Sequence, residues 1–227
     1  MNTSPADMDV IAERCRYVYG RSAEHGGGGD SGWGTARGVF HGIRATVGHA
    51  FGSDDLTGRR VLVQGVGSVG GELAGLLAEA GAAVLVTDLA TGLAEELAAR
   101  IGATTIQPDA AMSTECDVYA PCAVGGTVNR DSIPRLRCRI VAGSANNQLG
   151  EPEDADRLRA ADILYAPDYV INGGGVLQLL GLEDLGWDTA TLDEKLAGIG
   201  ATLREIYERA DAQGISTAAA AEQLAAR

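Results

Sequence analysis

The 227 residues carry 31 acidic against 18 basic side chains, a formal charge of −13, and 45% of them are hydrophobic. That apolar share can close a core in one large domain, or one domain with appendages, whereas so acidic a balance excludes DNA and RNA, whose phosphates need clustered Lys and Arg. The opening MNTSPADMDVIAERC has acids where an export signal needs a basic start, and no apolar run approaches the ~20 residues of a membrane span, so the expectation is a cytoplasmic protein without a membrane partner.

In chain order, Ser4 can cap and Pro5 can occupy the first turn of a short helix carrying Met8, Ile11 and Val18. The stretch RSAEHGGGGDSGWG, residues 21–34, is so rich in glycine that it reads as a mobile loop or linker. The next segment places Val39, Phe40, Ile43 and Val47 on one helical face, with Gly52 closing the helix. VLVQG, AVLVTD, CDVYAPC, CRIVAGS and DILYAPDYVIN are five strand candidates separated by helical or polar segments. From about Ala190, Leu192, Leu196, Ile199, Leu203 and Ile206 recur at helical spacing. The pattern predicts an α/β fold: a Rossmann-like, doubly wound, mainly parallel sheet with an N-terminal helix and loop and a C-terminal helical tail. The expected units are an N-terminal helix and glycine loop over 1–34, a nucleotide-binding domain over 35–189, and C-terminal helices over 190–227.

Within RRVLVQGVGSVGGELAGLLAEAGAAVLVTDL, Gly65, Gly67 and Gly70 follow an apolar strand and open a helix. In that context the first glycine permits a tight turn, the second lets a pyrophosphate approach the backbone, and the third lets helix and strand pack closely. Ser68 and Val69 lie in the same turn, where N–H groups at the helix start favour phosphate. Asp88 ends the next strand, 18 positions after Gly70, where a carboxylate accepts hydrogen bonds from ribose hydroxyls and repels a 2′-phosphate. NAD is therefore the expected cofactor; a glycine turn without nucleotide and an S-adenosylmethionine site are the competing readings. Cys15, Cys116, Cys122 and Cys138 show neither a CxxC nor a Cys/His metal spacing, so they read as reduced thiols and no metal site is expected.

The phrases ADMDVIAERCRYVYG, TARGVFHGI, GVGSVG, VTD, CDVYAPCAVGGTVN, IVAGSANNQL and YAPDYVINGGGV resemble, in order and spacing, the dinucleotide-binding half of leucine and phenylalanine dehydrogenases. These belong to the glutamate/leucine/phenylalanine/valine dehydrogenase family, NAD(P)-linked enzymes that interconvert amino acids and 2-oxo acids. The resemblance implies that Thr35 bonds the nicotinamide carboxamide and that Gly65, Gly67, Val69 and Asp88 hold the pyrophosphate and ribose. It also implies that Cys122 and Ala123 border the cofactor, that Asn146, Asn147 and Asn172 stand near nicotinamide and substrate, and that Val176 and Leu179 line a side-chain pocket. Each has a plainer alternative: Asn172 as a turn cap, Cys122 as a small core residue, Thr35 as a helix N-cap.

The family's two substrate-domain lysines and its aspartate have no counterpart in these 227 residues, whose single lysine, Lys195, falls late in the helical tail. Oxidative deamination needs acid–base groups to move protons as water adds or leaves, and losing one commonly costs ~10²–10⁴-fold. Hydride transfer to a preformed imine asks less. The expectation is thus an NAD(H)-dependent oxidoreductase acting on an amino-acid-like carbon–nitrogen bond or imine. Proton donors are sought among His25, Tyr17, Tyr19, His41, Asp7 and Asp9, with His25, Tyr17 and Asn172 as the catalytic candidates. Two alternatives are a non-catalytic NAD-binding subunit or sensor working with a partner protein, and a domain cut from a longer dehydrogenase. Because an uncovered cleft admits water to hydride transfer, a homodimer is expected, with the helical tail or N-terminal segment of one subunit covering the cleft of the other.

Overall fold

The computed structural model describes residues 3–226. Helix α1 (Pro5–Ala12) starts where a capping box forms: the Ser4 hydroxyl accepts the Asp7 N–H, and the Asp7 carboxylate accepts the Ser4 N–H at 2.7 Å. No residue of α1 is buried. A single 3₁₀ turn, Ala23–His25, precedes α2 (Gly32–Phe51), which Gly52 ends in the left-handed conformation.

From there strand and helix alternate: β1 (Arg60–Gln64), α3 (Ser68–Glu79), β2 (Ala83–Thr87), α4 (Thr91–Ile101), β3 (Thr104–Thr105), β4 (Val118–Pro121) and β5 (Ile140–Val141). Then follow α5 (Asp154–Ala160), β6 (Leu164–Tyr165), α6 (Asp168–Ile171), α7 (Gly174–Glu183), α8 (Thr189–Gln213) and α9 (Thr217–Ala225). The strands form one six-stranded sheet in the order β3-β2-β1-β4-β5-β6, and every pairing is parallel. The chain winds outward from β1 in one direction and returns to β4 to wind in the other, so a crevice opens at the carboxyl ends of β1 and β4.

The sheet is buried on both faces, which explains its continuous apolar strands. Val61, Val63, Val84, Val86, Val118 and Ala120 face one core with α2, α3 and α8. Leu62, Leu85, Tyr119, Val141 and Tyr165 face the other with Leu158 of α5. Five strands were expected; the sixth, β3, is two exposed threonines at the sheet edge, too short and polar to show an alternation. DILYAPDYVIN is not one strand but β6 followed by α6: Pro167 has no N–H for the ladder and Asp168 opens a helical turn.

Leu192, Leu196, Ile199, Leu203 and Ile206 of α8 are all at most 6% exposed, because α8 lies along α2 of the same chain. The apolar stripe of the helical tail is therefore packed within the core of its own chain. At the other end α1 keeps Val10 and Ile11 outward, as α4 does Leu93 and α7 does Val176.

Candidate cofactor site

The turn after β1 is determined by space as well as conformation. Gly65 has φ +92°, and a Cβ there would stand 2.8 Å from the Ala123 Cβ across the crevice. At Gly70 a Cβ would lie 1.9 Å from the Gly65 carbonyl oxygen, so only glycine lets α3 approach the strand this closely. A Cβ on Gly67 would meet no neighbouring side chain or loop within 4 Å. That free volume sits at the start of α3, where the first N–H groups of the helix, those of Ser68, Val69 and Gly70, lack acceptors one turn earlier. A phosphate fits both the space and the donors.

Half-buried Asp88 accepts the Val66 N–H with one carboxylate oxygen and the Ala90 N–H with the other, both at 2.9 Å. These bonds hold the carboxylate beside the glycine turn, and each oxygen keeps lone-pair capacity for a hydroxyl donor.

On the other side of the crevice, three loops are bonded into one wall. The Gly126 N–H donates to the Asn147 carbonyl at 2.7 Å, and a Cβ on Gly125 would lie 2.5 Å from the Asn146 carbonyl oxygen. Asn147 itself adopts φ +51°. The Asn172 amide donates to the Asn146 side-chain oxygen at 2.7 Å and to the Ser144 carbonyl at 3.2 Å, while buried Asp168 accepts the Gln148 N–H at 2.7 Å. The loops after β4, β5 and β6 thus bring Ala123, Asn146, Asn147 and Asn172 together. Burial pushes the Cys122 thiol up, against a hydrogen bond with Ser144, and a thiol kept protonated is a poor nucleophile.

Thr35 is inside α2, not at its N-cap: its hydroxyl donates to the Ser31 carbonyl at 2.8 Å. It abuts the start of α7, where a Cβ on Gly175 would lie 2.5 Å from the Thr35 oxygen. Leu179 touches the glycine loop near Gly28, whereas Val176 stands exposed.

That loop is the largest departure from expectation. Residues 21–34 are hydrogen-bonded to α7 and not an unattached linker, and the last three of them already belong to α2. Glu183 of α7 accepts the N–H groups of Gly20 and Gly28, each at 2.8 Å, and pairs with Arg21. Gln178 accepts the Gly34 N–H at 2.7 Å and donates to the Gly28 and Asp30 carbonyls at 2.9 and 3.2 Å. Asp30 then reaches the fingerprint, accepting the Gly32 N–H at 2.8 Å and the Ser68 hydroxyl at 3.1 Å. Asp30, Gln178 and Glu183 were missed from sequence; the only signal was a run of glycine N–H groups needing acceptors somewhere.

The candidate proton donors are mostly engaged at a distance from this wall. The Nδ1 atom of His25 meets Ser22 Oγ at 2.8 Å and the Asp9 carboxylate at 3.2 Å. Both contacts fall on one nitrogen, so the trio is no acid–base–nucleophile relay. Burial raises Asp9, but hydrogen bonds from Ser22 and the charge of His25 outweigh it and hold the carboxyl below its usual range. Asp7 is lowered by the Ser4 hydroxyl in the capping box. The Tyr19 hydroxyl donates to Asp184, which raises its pKa, and Tyr17 is 72% exposed beside Arg16. Burial lowers His41 on α2. Of the three catalytic candidates only Asn172 stands in the wall of the crevice.

The family model for "Glutamate/Leucine/Phenylalanine/Valine dehydrogenase" matches residues 90–227. The chain belongs to this family. As a member of the glutamate/leucine/phenylalanine/valine dehydrogenases, it is 42% identical over 225 residues to a leucine dehydrogenase of Thermoactinomyces intermedius, covering 99% of this chain and 61% of that protein. It is 44% identical over 228 residues to a valine dehydrogenase of Streptomyces virginiae, covering 99% and 63%. The crystal structure of L-tryptophan dehydrogenase from Nostoc punctiforme superposes with a TM-score of 0.84 at 40% identity, over 87% of this chain and 60% of that one. The chain therefore spans about three fifths of the length of these relatives.

Proposed function

We propose that this chain binds NAD(H) and supplies the cofactor-holding part of an oxidoreductase acting on the carbon–nitrogen bond of an amino acid or its imine. The observation that carries the proposal is the facing pair across one crevice: the glycine turn with Asp88 on one side, the Asn146–Asn172 wall on the other. NAD, when bound, accepts or donates hydride at its nicotinamide ring. N–H groups of Ser68, Val69 and Gly70 would hold the pyrophosphate, and Asp88 the ribose hydroxyls, favouring NAD over NADP. Thr35, Asn146 and Asn172 would orient the nicotinamide and the substrate amine, with Asn147, Cys122 and Ala123 as wall. The relatives' names specify leucine, valine and tryptophan, which supports an apolar amino acid as substrate class.

Imine reduction is the favoured direction for these residues alone, because Lys195 lies over the Trp187 ring, 6.0 Å from its centroid, and not in the crevice wall. The same observation favours a second reading, an NAD-binding subunit whose acid–base groups come from a partner protein. Fluorescence titration with NADH and NADPH, followed by absorbance assays with cyclic imines, 2-oxo acids plus ammonia, and branched amino acids, separates the two. Tight NADH binding with imine turnover supports the enzyme; tight binding with no turnover of any class supports the subunit; no NADH binding overturns both. A homodimer joined through α1 is supported by its outward Val10 and Ile11, and a monomer in sedimentation with NADH present would refute it.

A further inference from the structure

At the opposite, amino-terminal edge of the sheet, β4 and β5 place two cysteines side by side. Val118 pairs with Ile140 and Tyr119 with Val141, so two residues earlier the same register sets Cys116 beside Cys138. The backbones remain bonded there: the Cys116 N–H donates to the Arg137 carbonyl at 3.0 Å and the Arg139 N–H to the Asp117 carbonyl at 3.2 Å. Both side chains pack on the same face of the sheet, against the Leu62–Tyr119 core. Neighbouring strands run about 4.8 Å apart, inside the roughly 4.4–6.8 Å Cα separation that a disulfide needs. Both residues are partly exposed, and a shallow pocket lined by Arg60, Glu115, Cys116, Asp117 and Arg137 opens onto Cys116, beside Cys138.

We propose that Cys116 and Cys138 form a reversible disulfide by exchange with a small-molecule disulfide, a modification site separate from the cofactor crevice. The thiolate of Cys138 attacks one sulfur of the small disulfide, forming a mixed disulfide and expelling one thiolate. That thiolate takes the Cys116 proton; the Cys116 sulfur then attacks Cys138, forming the intramolecular bond and releasing the second thiolate, which leaves as thiol after protonation from water. No further oxidant is consumed, since the small disulfide is reduced to two thiols. The assignment of roles follows the environment. The two sulfurs share one hydrogen bond, with Cys116 as donor, which raises Cys116 and lowers Cys138, and the Tyr119 and Ile140 backbone adds to the lowering at Cys138 despite burial.

The bond would close a loop of some twenty residues, worth a melting-temperature rise on the order of 10 °C. It would leave the far, carboxyl edge of β4 and β5 in place, so NADH affinity should change less than about twofold. The test treats the reduced chain with oxidised glutathione. Expected are a fall from four titratable thiols to two, loss of two hydrogens in the intact mass, and a cross-linked peptide joining Cys116 to Cys138. Cys116→Ser should stop at one glutathione adduct on Cys138. Four persistent thiols, a stable adduct in the unsubstituted chain, or a cross-link through Cys15 or Cys122 would overturn the proposal. These readouts on the unsubstituted chain decide it even if the variant fails to fold.

Discussion

Two glycine-rich segments meet at the start of α3, and their glycines answer to different neighbours. In the turn 65–70 the constraint that shapes the turn is local, Gly70 facing the carbonyl of Gly65 five residues away, with Ala123 as the remote neighbour of Gly65. In the loop 20–34 the constraint is mostly remote: Gly20, Gly28 and Gly34 give their N–H groups to Glu183 and Gln178, some 150 residues later. The difference shows that composition alone cannot separate a flexible linker from a loop held by backbone hydrogen bonds, because a glycine lowers the barrier to both.

The sharpest break in the comparison comes from adding one methyl group to each segment. Gly70→Ala, with 1.9 Å to the Gly65 oxygen, should cost about 1–3 kcal/mol of stability. It should also weaken NADH by at least about a hundredfold, or ~2.7 kcal/mol, in a fluorescence titration. Gly27→Ala, whose Cβ would stand 2.1 Å from the Arg21 oxygen, should lose similar stability but weaken NADH less than about tenfold. Equal effects on NADH would mean that the loop and the turn form one binding element.

Next, Gln178→Ala leaves the Gly34 N–H and the Gly28 and Asp30 carbonyls without their partner. An orphaned buried group costs about 1–3 kcal/mol, and for a chain this long each kcal/mol lowers the melting temperature by roughly 2–4 °C. Hydrogen exchange should then quicken over 21–34 and stay slow over 65–79. Uniform quickening would show that the loop is not a separately held unit.

A smaller effect is expected at the nucleotide's ribose. Asp88→Ser removes the charge that repels a 2′-phosphate, and the NADPH dissociation constant should fall about tenfold relative to NADH. An unchanged ratio would remove Asp88 from the ribose site.

The smallest concerns His41, whose burial lowers its pKa below the ordinary 6.5. The unfolded chain then binds more protons than the native one as pH falls through that value, so this contribution to stability is complete above it and lost below. His41→Gln should melt with a shallower loss between pH 7.5 and 5.5 than the unsubstituted chain; identical slopes would contradict this.

Much of the doubly wound order was legible because parallel strands buried on both faces must be apolar throughout, as Val61–Val63 and Val84–Val86 are. The strand β3 was not, since two exposed threonines carry no period. Helix α1 was legible from Ser4 and Pro5 because a cap and a first-turn proline are local signals; the Asp7 half of the capping box was not read. Asp30, Gln178 and Glu183 were not, because nothing local distinguishes an anchoring carboxylate or amide from a solvated one.

By itself, then, the sequence determined what short-range sterics and periodicity determine: the glycine turn, the acid at the end of β2, the helix caps and the two-faced sheet. Only the tertiary structure decided that the glycine loop is held by α7, that the tail's apolar stripe belongs to its own core, and that Cys116 lies beside Cys138. Those outcomes depend on hydrogen bonds, packing and register between residues far apart in the chain, and contacts of that kind leave no period in the residues that make them.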